Sequence, residues 1–373
     1  MADNFELREE ISRGGENYFL QTTFLPHDNS IVAAFFKKGR CFDSVTYPLK
    51  EGKAPEESVE TAKVIHNRNK AKFLLLLDVR EKISSSDKAW AHLKLAKSLF
   101  LRSLYNEAIE EAETAINKGE KGAEPYKIIS GSWYEIGEYK KAFEAVIKGL
   151  KIRADYPDLH NLAGKIYYMR NNCRLAAESF NRAIEQNYYY GEAYLNILRT
   201  FMLNSIIKQD YELSRELKGD FDEYLDKVST LNPSLNRDKI EKVKKLFSEE
   251  KYEDVLNLLD RVEETSDRIN VDKIISELYL MILQSGDDLE EIEIDKYLES
   301  MEKIVDQNPN FADAHNSLGI LYAAKSKMFM DRAGNAFKKA VRINKDYEKA
   351  RKNIRLTENE RQGIFILLRA LLD

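Results

Sequence analysis

Residues 157–187 read PDLHNLAGKIYYMRNNCRLAAESFNRAIEQN. Gly164 and Tyr167 lie one turn apart in a first apolar-periodic stretch, and Ala176, Phe180 and Ala183 follow at steps of four and three in a second. Such steps put side chains on one helical face, and small residues there let two helices cross closely. The Asn171-Asn172 pair between the stretches is a turn signal, and Gly137 stands at the equivalent point 34 residues earlier. The segment therefore reads as a helix-turn-helix hairpin.

The hairpin is copied along the chain. Ala108, Ala142 and Ala176 are spaced by 34 residues, and so are Ala112/Val146/Phe180, Ala115/Gly149/Ala183, Ile116/Leu150/Ile184 and Leu99/Trp133/Tyr167/Phe201. Near the C-terminus, Pro309-Asn-Phe-Ala-Asp-Ala-His315-Asn-Ser-Leu318-Gly319-Ile-Leu-Tyr322 is followed by Ala333, Phe337 and Ala340. This order of Leu-Gly, Tyr, Ala, Phe, Ala and Pro in a 34-residue frame resembles the tetratricopeptide repeats, over about residues 85–355. The resemblance implies a mainly α fold, a right-handed α-solenoid of about seven hairpins stacked on a continuous core.

Unit starts fall at about 89, 123, 157, 191, 236, 270 and 312, the first four in strict register. Domains follow: strict repeats over 85–207, degenerate repeats over 208–355, and a C-terminal capping helix over 356–373 opened by the capping box Thr357-Glu-Asn-Glu360. Eleven extra residues enter at Lys208–Asp220, eight around Gly286-Asp287-Asp288 and two near Lys325–Met330. All three are expected as loops growing between the two helices of a unit. The fifth and sixth units keep apolar anchors such as Tyr252/Val255/Leu259/Val262 but lose Gly and most Ala.

The first 84 residues differ. Tyr18–Leu25, Ile31–Phe36 and Cys41–Leu49 are rich in β-branched and aromatic residues and are separated by the turn sequences Pro26–Ser30 and Lys37–Arg40. They predict a small three-stranded antiparallel β-meander over 18–49, followed by a linker, Glu51–Glu57, and a helix over 58–83 carrying Phe73-Leu-Leu-Leu-Leu77. Three strands are barely stable alone, so the sheet is expected to lean on that helix, which also covers the open end of the first repeat. A homo-oligomer through the edge strands of the meander, or through the C-terminal helix, is a further expectation.

Composition narrows the function. The chain is 32% charged and 43% hydrophobic with only 16 Gly and 7 Pro, which suits long helices with solvated faces. A net charge of −5 argues against general nucleic-acid affinity. The alternative is an RNA- or polyanion-binding face over 332–355, where nine Lys/Arg stand against Asp346 and Glu348. No apolar run reaches the ~20 residues of a membrane span, and the N-terminus MADNFELREE is too polar for a signal peptide. A cytoplasmic location is expected. Cys41 and Cys173 do not suggest a disulfide framework.

No phosphate-cradling, zinc-hydrolytic or nucleophile-elbow motif occurs, so neither an enzyme nor a cofactor is expected. His92, His160 and His315 each occupy the fourth position of their unit, in separate hairpins, which assigns them to packing rather than to a shared metal. The resemblance instead implies partner binding in a concave groove lined by the first helix of each hairpin. Carried over residue by residue, it puts Lys97, Lys165 and Arg199 at the ninth position, Lys127 and Asn161 at the fifth, and Phe100, Tyr134, Tyr168 and Met202 at the twelfth. Cations beside aromatic and soft apolar side chains suit an acidic and hydrophobic peptide segment of a partner protein. The Lys/Asn carboxylate clamp of the chaperone-binding subset is not reproduced, since Leu93 and Lys97 stand in its place in the first unit.

Overall fold

The computed structural model describes residues 5–49, 55–231, 235, 237–264, 271–285, 291–307 and 312–372. Most of the expected linker, Pro233, Gly286-Asp287-Asp288 and Pro309 to Phe311 lie outside the described residues. Four strands, β1 (Glu6–Arg13), β2 (Glu16–Leu25), β3 (Ser30–Lys37) and β4 (Arg40–Pro48), precede α1 (Pro55–Ile83), α2 (Ala89–Phe100), α3 (Tyr105–Asn117), α4 (Glu124–Ile136) and α5 (Tyr139–Ile152). There follow α6 (Pro157–Met169), α7 (Cys173–Gln186), α8 (Gly191–Ile207), α9 (Tyr211–Leu231), α10 (Arg237–Ser248) and α11 (Tyr252–Glu264). The last are α12 (Val271–Ser285), α13 (Glu291–Gln307), α14 (Ala312–Ile343) and α15 (Glu348–Leu372). The chain divides into two compact units, residues 1–120 with 276–288, and residues 121–275 with 289–373.

In the first unit the strands form one antiparallel sheet in the order β1-β2-β3-β4. The expected meander of three strands thus gains a fourth at its front. β1 carries Leu7, Glu9 and Ile11 on one face, and the central Glu9 interrupts the apolar alternation by which a strand is recognised. α1 neutralises it: Glu9 accepts from Lys70 at 2.5 Å and meets His66 Nε2 at 3.2 Å, while His66 Nδ1 reaches Thr22 of β2 at 3.0 Å. The apolar seam lies beside this polar one. Phe73 of α1 sits 5.1 Å from the Tyr18 ring and 4.9 Å from that of Phe35, and all three side chains are fully buried.

The hairpin α2–α3 packs on α1, and residues 276–285 of α12 belong to the same unit. Glu277 is held by Lys72 at 2.5 Å and Arg102 at 2.9 Å, Ser276 meets Ser98 at 2.5 Å, and Tyr279 is edge-on to Trp90.

One turn geometry recurs at the period of the sequence. Ser103, Gly137 and Asn171, spaced by 34, have φ of 57°, 89° and 55°. The residue after each donates its N–H to a carbonyl five residues back, Leu104 to Leu99, Glu138 to Trp133 and Asn172 to Tyr167. This is the left-handed closure of a helix C-terminus, which needs one residue outside the normal φ range but not necessarily a glycine. Glu250, at φ 56°, with Lys251 N–H on Leu246, repeats it between α10 and α11, so the degenerate fifth unit keeps its turn although its small residues are gone.

In the second unit α4 to α9 form three such hairpins in succession, each second helix also packing on the next first helix. The small residues sit where the crossing is tightest. A Cβ on Gly149 would come within 2.5 Å of Leu159 Cδ1, and one on Gly164 within 2.4 Å of the Phe180 ring. α11 then packs against α8, with Val255 and Leu259 entering the core that Leu198, Phe201, Met202 and Phe221 share.

Three expectations are corrected here. Lys208–Asp220 is not a grown loop: only Lys208 to Asp210 form the turn, and α9 begins at Tyr211 with Leu213 and Leu217 already buried. The inserted residues lengthen a helix because their apolar residues recur every four. Near Lys325–Met330 there is no turn at all, because α14 runs unbroken from Ala312 to Ile343. Ala324 and Met328 are buried along it, and Lys327, expected at a loop, is 1% exposed with its ammonium 3.0 Å from Asp331. α14 pairs instead with α15. α15 starts at Glu348 rather than at a cap near 356, and the Thr357 hydroxyl donates to the Asn353 carbonyl one turn back instead of capping a new helix.

Candidate functional site

The first helices α4, α6 and α8 of the second unit carry the predicted groove residues Lys127, Tyr134, Asn161, Lys165, Tyr168, Arg199 and Met202. A continuous chain of polar contacts crosses them. Lys127 pairs with Glu124 at 2.9 Å and Asp158 at 3.2 Å. The Tyr190 hydroxyl donates to Asp158 at 2.9 Å, and Asn161 donates to Tyr190 at 3.3 Å. Asn196 donates to Asn161 at 3.0 Å and accepts from Arg199 at 3.2 Å. Arg199 ends the chain on α11, bonding the Leu259 carbonyl at 3.2 Å and pairing with Asp260 at 2.9 Å.

Repetition explains why this works. Glu124, Asp158 and Glu192 are spaced by 34, and each accepts from a cation of the array: Lys127 for the first two, Lys165 at 3.4 Å for the third. Tyr156 and Tyr190, also 34 apart, donate to Glu124 and Asp158 of the preceding unit. These carboxylates and tyrosines were not singled out from the sequence, yet the same period that revealed the alanines marks them. Burial works against the charge on Lys127, but Glu124 and Asp158 outweigh it and hold the ammonium well above the usual lysine range. Burial, reinforced by the Glu192 and Asp158 charges, pushes the Tyr190 phenol well above its ordinary value.

Beside this chain lies a cleft of about 500 Å³ lined by Tyr134, Lys165, Tyr168, Met169, Arg199 and Asp260 among others. The Lys165 ammonium is 5.0 Å from the centre of the Tyr134 ring. The Tyr168 phenol is pushed up to about 12, by burial first and by the Asp260 carboxylate second, so it is a neutral donor at any physiological pH. Met169 is 46% exposed beside it. The cleft offers two aromatic rings, a thioether and two ion-paired cations.

The structure thus brings Tyr134, Lys165, Tyr168 and Arg199 together around one cleft, and joins Lys127, Asn161 and Arg199 in one hydrogen-bonded line. Met202 is a correction. It is fully buried in the core shared with α11 and faces no groove. Phe201 and Met202 are both apolar, and spacing alone does not tell an apolar groove residue from a core residue once another helix covers α8. Lys97 and Phe100 belong to the first unit, where the Phe100 ring packs 5.7 Å from that of Tyr105.

His92 and His160 are held by other contacts. His92 is buried, 2.7 Å from Glu111 and 3.0 Å from the Ser86 carbonyl, and His160 Nε2 is 2.7 Å from the Ala154 carbonyl. In both, the ring fastens the chain six residues upstream. Burial pushes the Cys173 thiol up to about 11, Asp210 adding to it, which leaves little thiolate for reaction. Among the described residues no group of three or more His, Cys, Asp or Glu is placed to hold a metal ion. None of the described helices is long and apolar enough to cross a membrane.

No family model matches this chain, and no curated protein matches it. Among solved structures, MamA is similar at 21% identity, covering 44% of this chain and 88% of its own, with a TM-score of 0.37. PilF of Pseudomonas aeruginosa is similar at 16% identity over 61% of this chain and 95% of its own, TM-score 0.36. YrrB, described as a TPR protein with an unusual peptide-binding site, is similar at 16% identity over 63% of this chain and 95% of its own, TM-score 0.32.

Proposed function

We propose that this chain, with its tetratricopeptide-like hairpins, is a non-catalytic interaction scaffold that receives an extended segment of a partner protein in the cleft on α4, α6 and α8. The observation that carries this is that Tyr134 and Tyr168 line one open cleft, with Met169 of the same lining 46% exposed. The two tyrosine rings, with few rotatable bonds, give contact area at small entropic cost, which is where binding energy concentrates in interfaces, and the flexible thioether adapts to what lies on them. α11 stops the groove at Arg199 and Asp260, so the segment is short and lies over α4 and α6.

The charge of the segment is less decisive than its apolar side chains. Lys127, Lys165 and Arg199 each already hold a carboxylate of this chain. An acidic residue of the partner gains only by exchange with one of these, whereas an aromatic or aliphatic residue gains the full burial against Tyr134 and Tyr168. The partner segment is therefore selected chiefly by its hydrophobic side chains, with acidic residues contributing little.

Capture of partner proteins by the full chain, followed by their identification, tests this against a Tyr134→Ala/Tyr168→Ala variant. The expected result is loss of a defined protein from the captured set, with unchanged helix content by circular dichroism. Undiminished capture by the double variant overturns the cleft as the main site.

A further inference from the structure

The turn between α14 and α15 is exposed throughout. Every residue from Arg342 to Lys349 is exposed, and Ile343 is 81% and Tyr347 46% open to solvent. The turn is nonetheless built. Asn344 accepts from Asp346 N–H at 3.1 Å through its side chain and from Tyr347 N–H at 3.2 Å through its carbonyl, and Arg351 donates to the Lys345 carbonyl. An aliphatic side chain held out by a hydrogen-bonded turn gains nothing from water.

The same turn is basic. Residues 342–352 hold Arg342, Lys345, Lys349, Arg351 and Lys352 against only Asp346 and Glu348, on a chain whose net charge is −5. Farther down the hairpin Lys338 meets Glu358 at 3.3 Å and Arg361 meets Asp331 at 3.5 Å. At the tip, among the described residues, no ion pair engages Arg342, Lys345, Lys349 or Lys352.

We propose that the α14–α15 tip docks on an anionic phospholipid surface, with Ile343 and Tyr347 set among the headgroups and Arg342, Lys345, Lys349 and Lys352 facing lipid phosphates and carboxylates. A phosphodiester backbone would satisfy the cations and leave Ile343 in water. A leaflet satisfies both, because its interface takes aliphatic and tyrosine side chains while its surface charge attracts the cations around them. The net charge of −5 on the chain as a whole opposes contact elsewhere.

Sedimentation of the full chain with phosphatidylcholine vesicles, with and without phosphatidylserine, is the test. Binding is expected only with phosphatidylserine. Replacing three cations, Lys345→Ala/Lys349→Ala/Lys352→Ala, lowers the partition coefficient about 100-fold, at roughly five-fold per charge. The charge-neutral Ile343→Ser/Tyr347→Ser variant lowers it about ten-fold. All five side chains are exposed, so helix content and thermal midpoint stay unchanged in both variants. Absence of binding to phosphatidylserine vesicles, equal binding to both compositions, or retention of the serine variant at the original level overturns the proposal. So does binding to single-stranded RNA with none to vesicles.

Discussion

Gly164 and Gly319 occupy the same eighth position of their units and read identically in the sequence. In the structure only Gly164 is crossed, by the Phe180 ring of its own second helix, whereas nothing described lies within 4 Å of a Cβ on Gly319. The difference is the turn. Asn171 reverses the chain so that Phe180 returns over Gly164, but α14 has no reversal, and Phe337, the counterpart of Phe180, is carried away along the same helix. Gly164→Ala should therefore destabilise by about 1–3 kcal/mol through overpacking. Gly319→Ala should stabilise by about 0.5–1 kcal/mol through helix propensity. Urea midpoints of the two variants, expected to move in opposite directions, check this. The buried phenols give a second residue-scale outcome. Burial raises the folded values of Tyr156, Tyr168 and Tyr190 above their ordinary 10.0, so their neutral forms contribute stability fully below pH ~10, and it is lost as pH climbs beyond that. The unfolding midpoint should fall steeply above pH ~10, with tyrosinate absorbance rising in step. Tyr190→Phe should blunt that fall, and an unchanged alkaline profile would show that the phenols do not govern it.

Elements were legible where local and tertiary signals coincide. The hairpins of α4–α5 and α6–α7 follow the sequence because left-handed turn, small crossing residues and amphipathic faces all repeat together. β1 was hidden because its inner face holds Glu9, satisfied only by His66 and Lys70 from α1, 57 and 61 residues away. The extent of α9 and the continuity of α14 were hidden for another reason: an added stretch with its own helical periodicity extends a helix more cheaply than it opens a loop, because each added residue makes a further backbone bond. The expected break near Lys325–Met330 and the observed continuous helix differ in their tolerance of proline. Within an unbroken helix Ser326→Pro removes a bond to the preceding turn and clashes with it, at a cost of about 3 kcal/mol. Within a loop it would cost little. A drop in helix content and thermal midpoint is expected, and a variant as stable as the parent would restore the break.

At the scale of the molecule, the 34-residue period carries both the architecture and the chemistry of the candidate site, but in different residues. Alanine and glycine mark the crossings, whereas the acidic residues Glu124, Asp158 and Glu192 hold the lysines of the candidate site. Cations alone were legible because lysine and arginine at groove positions suggest an acidic ligand. The neutralising partners come from the neighbouring repeats and, for Arg199, from α11, whose packing on α8 no repeat spacing announces. The consequence is that Lys127, Lys165 and Arg199 present no bare positive charge at the candidate site. A ligand clamped by three free cations would lose affinity steeply as salt rises, because added ions screen each attraction and compete for each site. Here a ligand carboxylate replaces an existing one, and the electrostatic gain nearly cancels. Titration of a captured partner segment against the full chain should accordingly show affinity changing by less than about three-fold between roughly 0.05 and 0.5 M salt. Tyr168→Ala, which removes buried apolar area, should weaken it by about ten-fold or more at every salt concentration. A ten-fold loss with salt in the parent chain would mean that the partner's acids displace Asp158, Glu192 and Asp260 from their cations, and that charge rather than the aromatic cleft selects the partner.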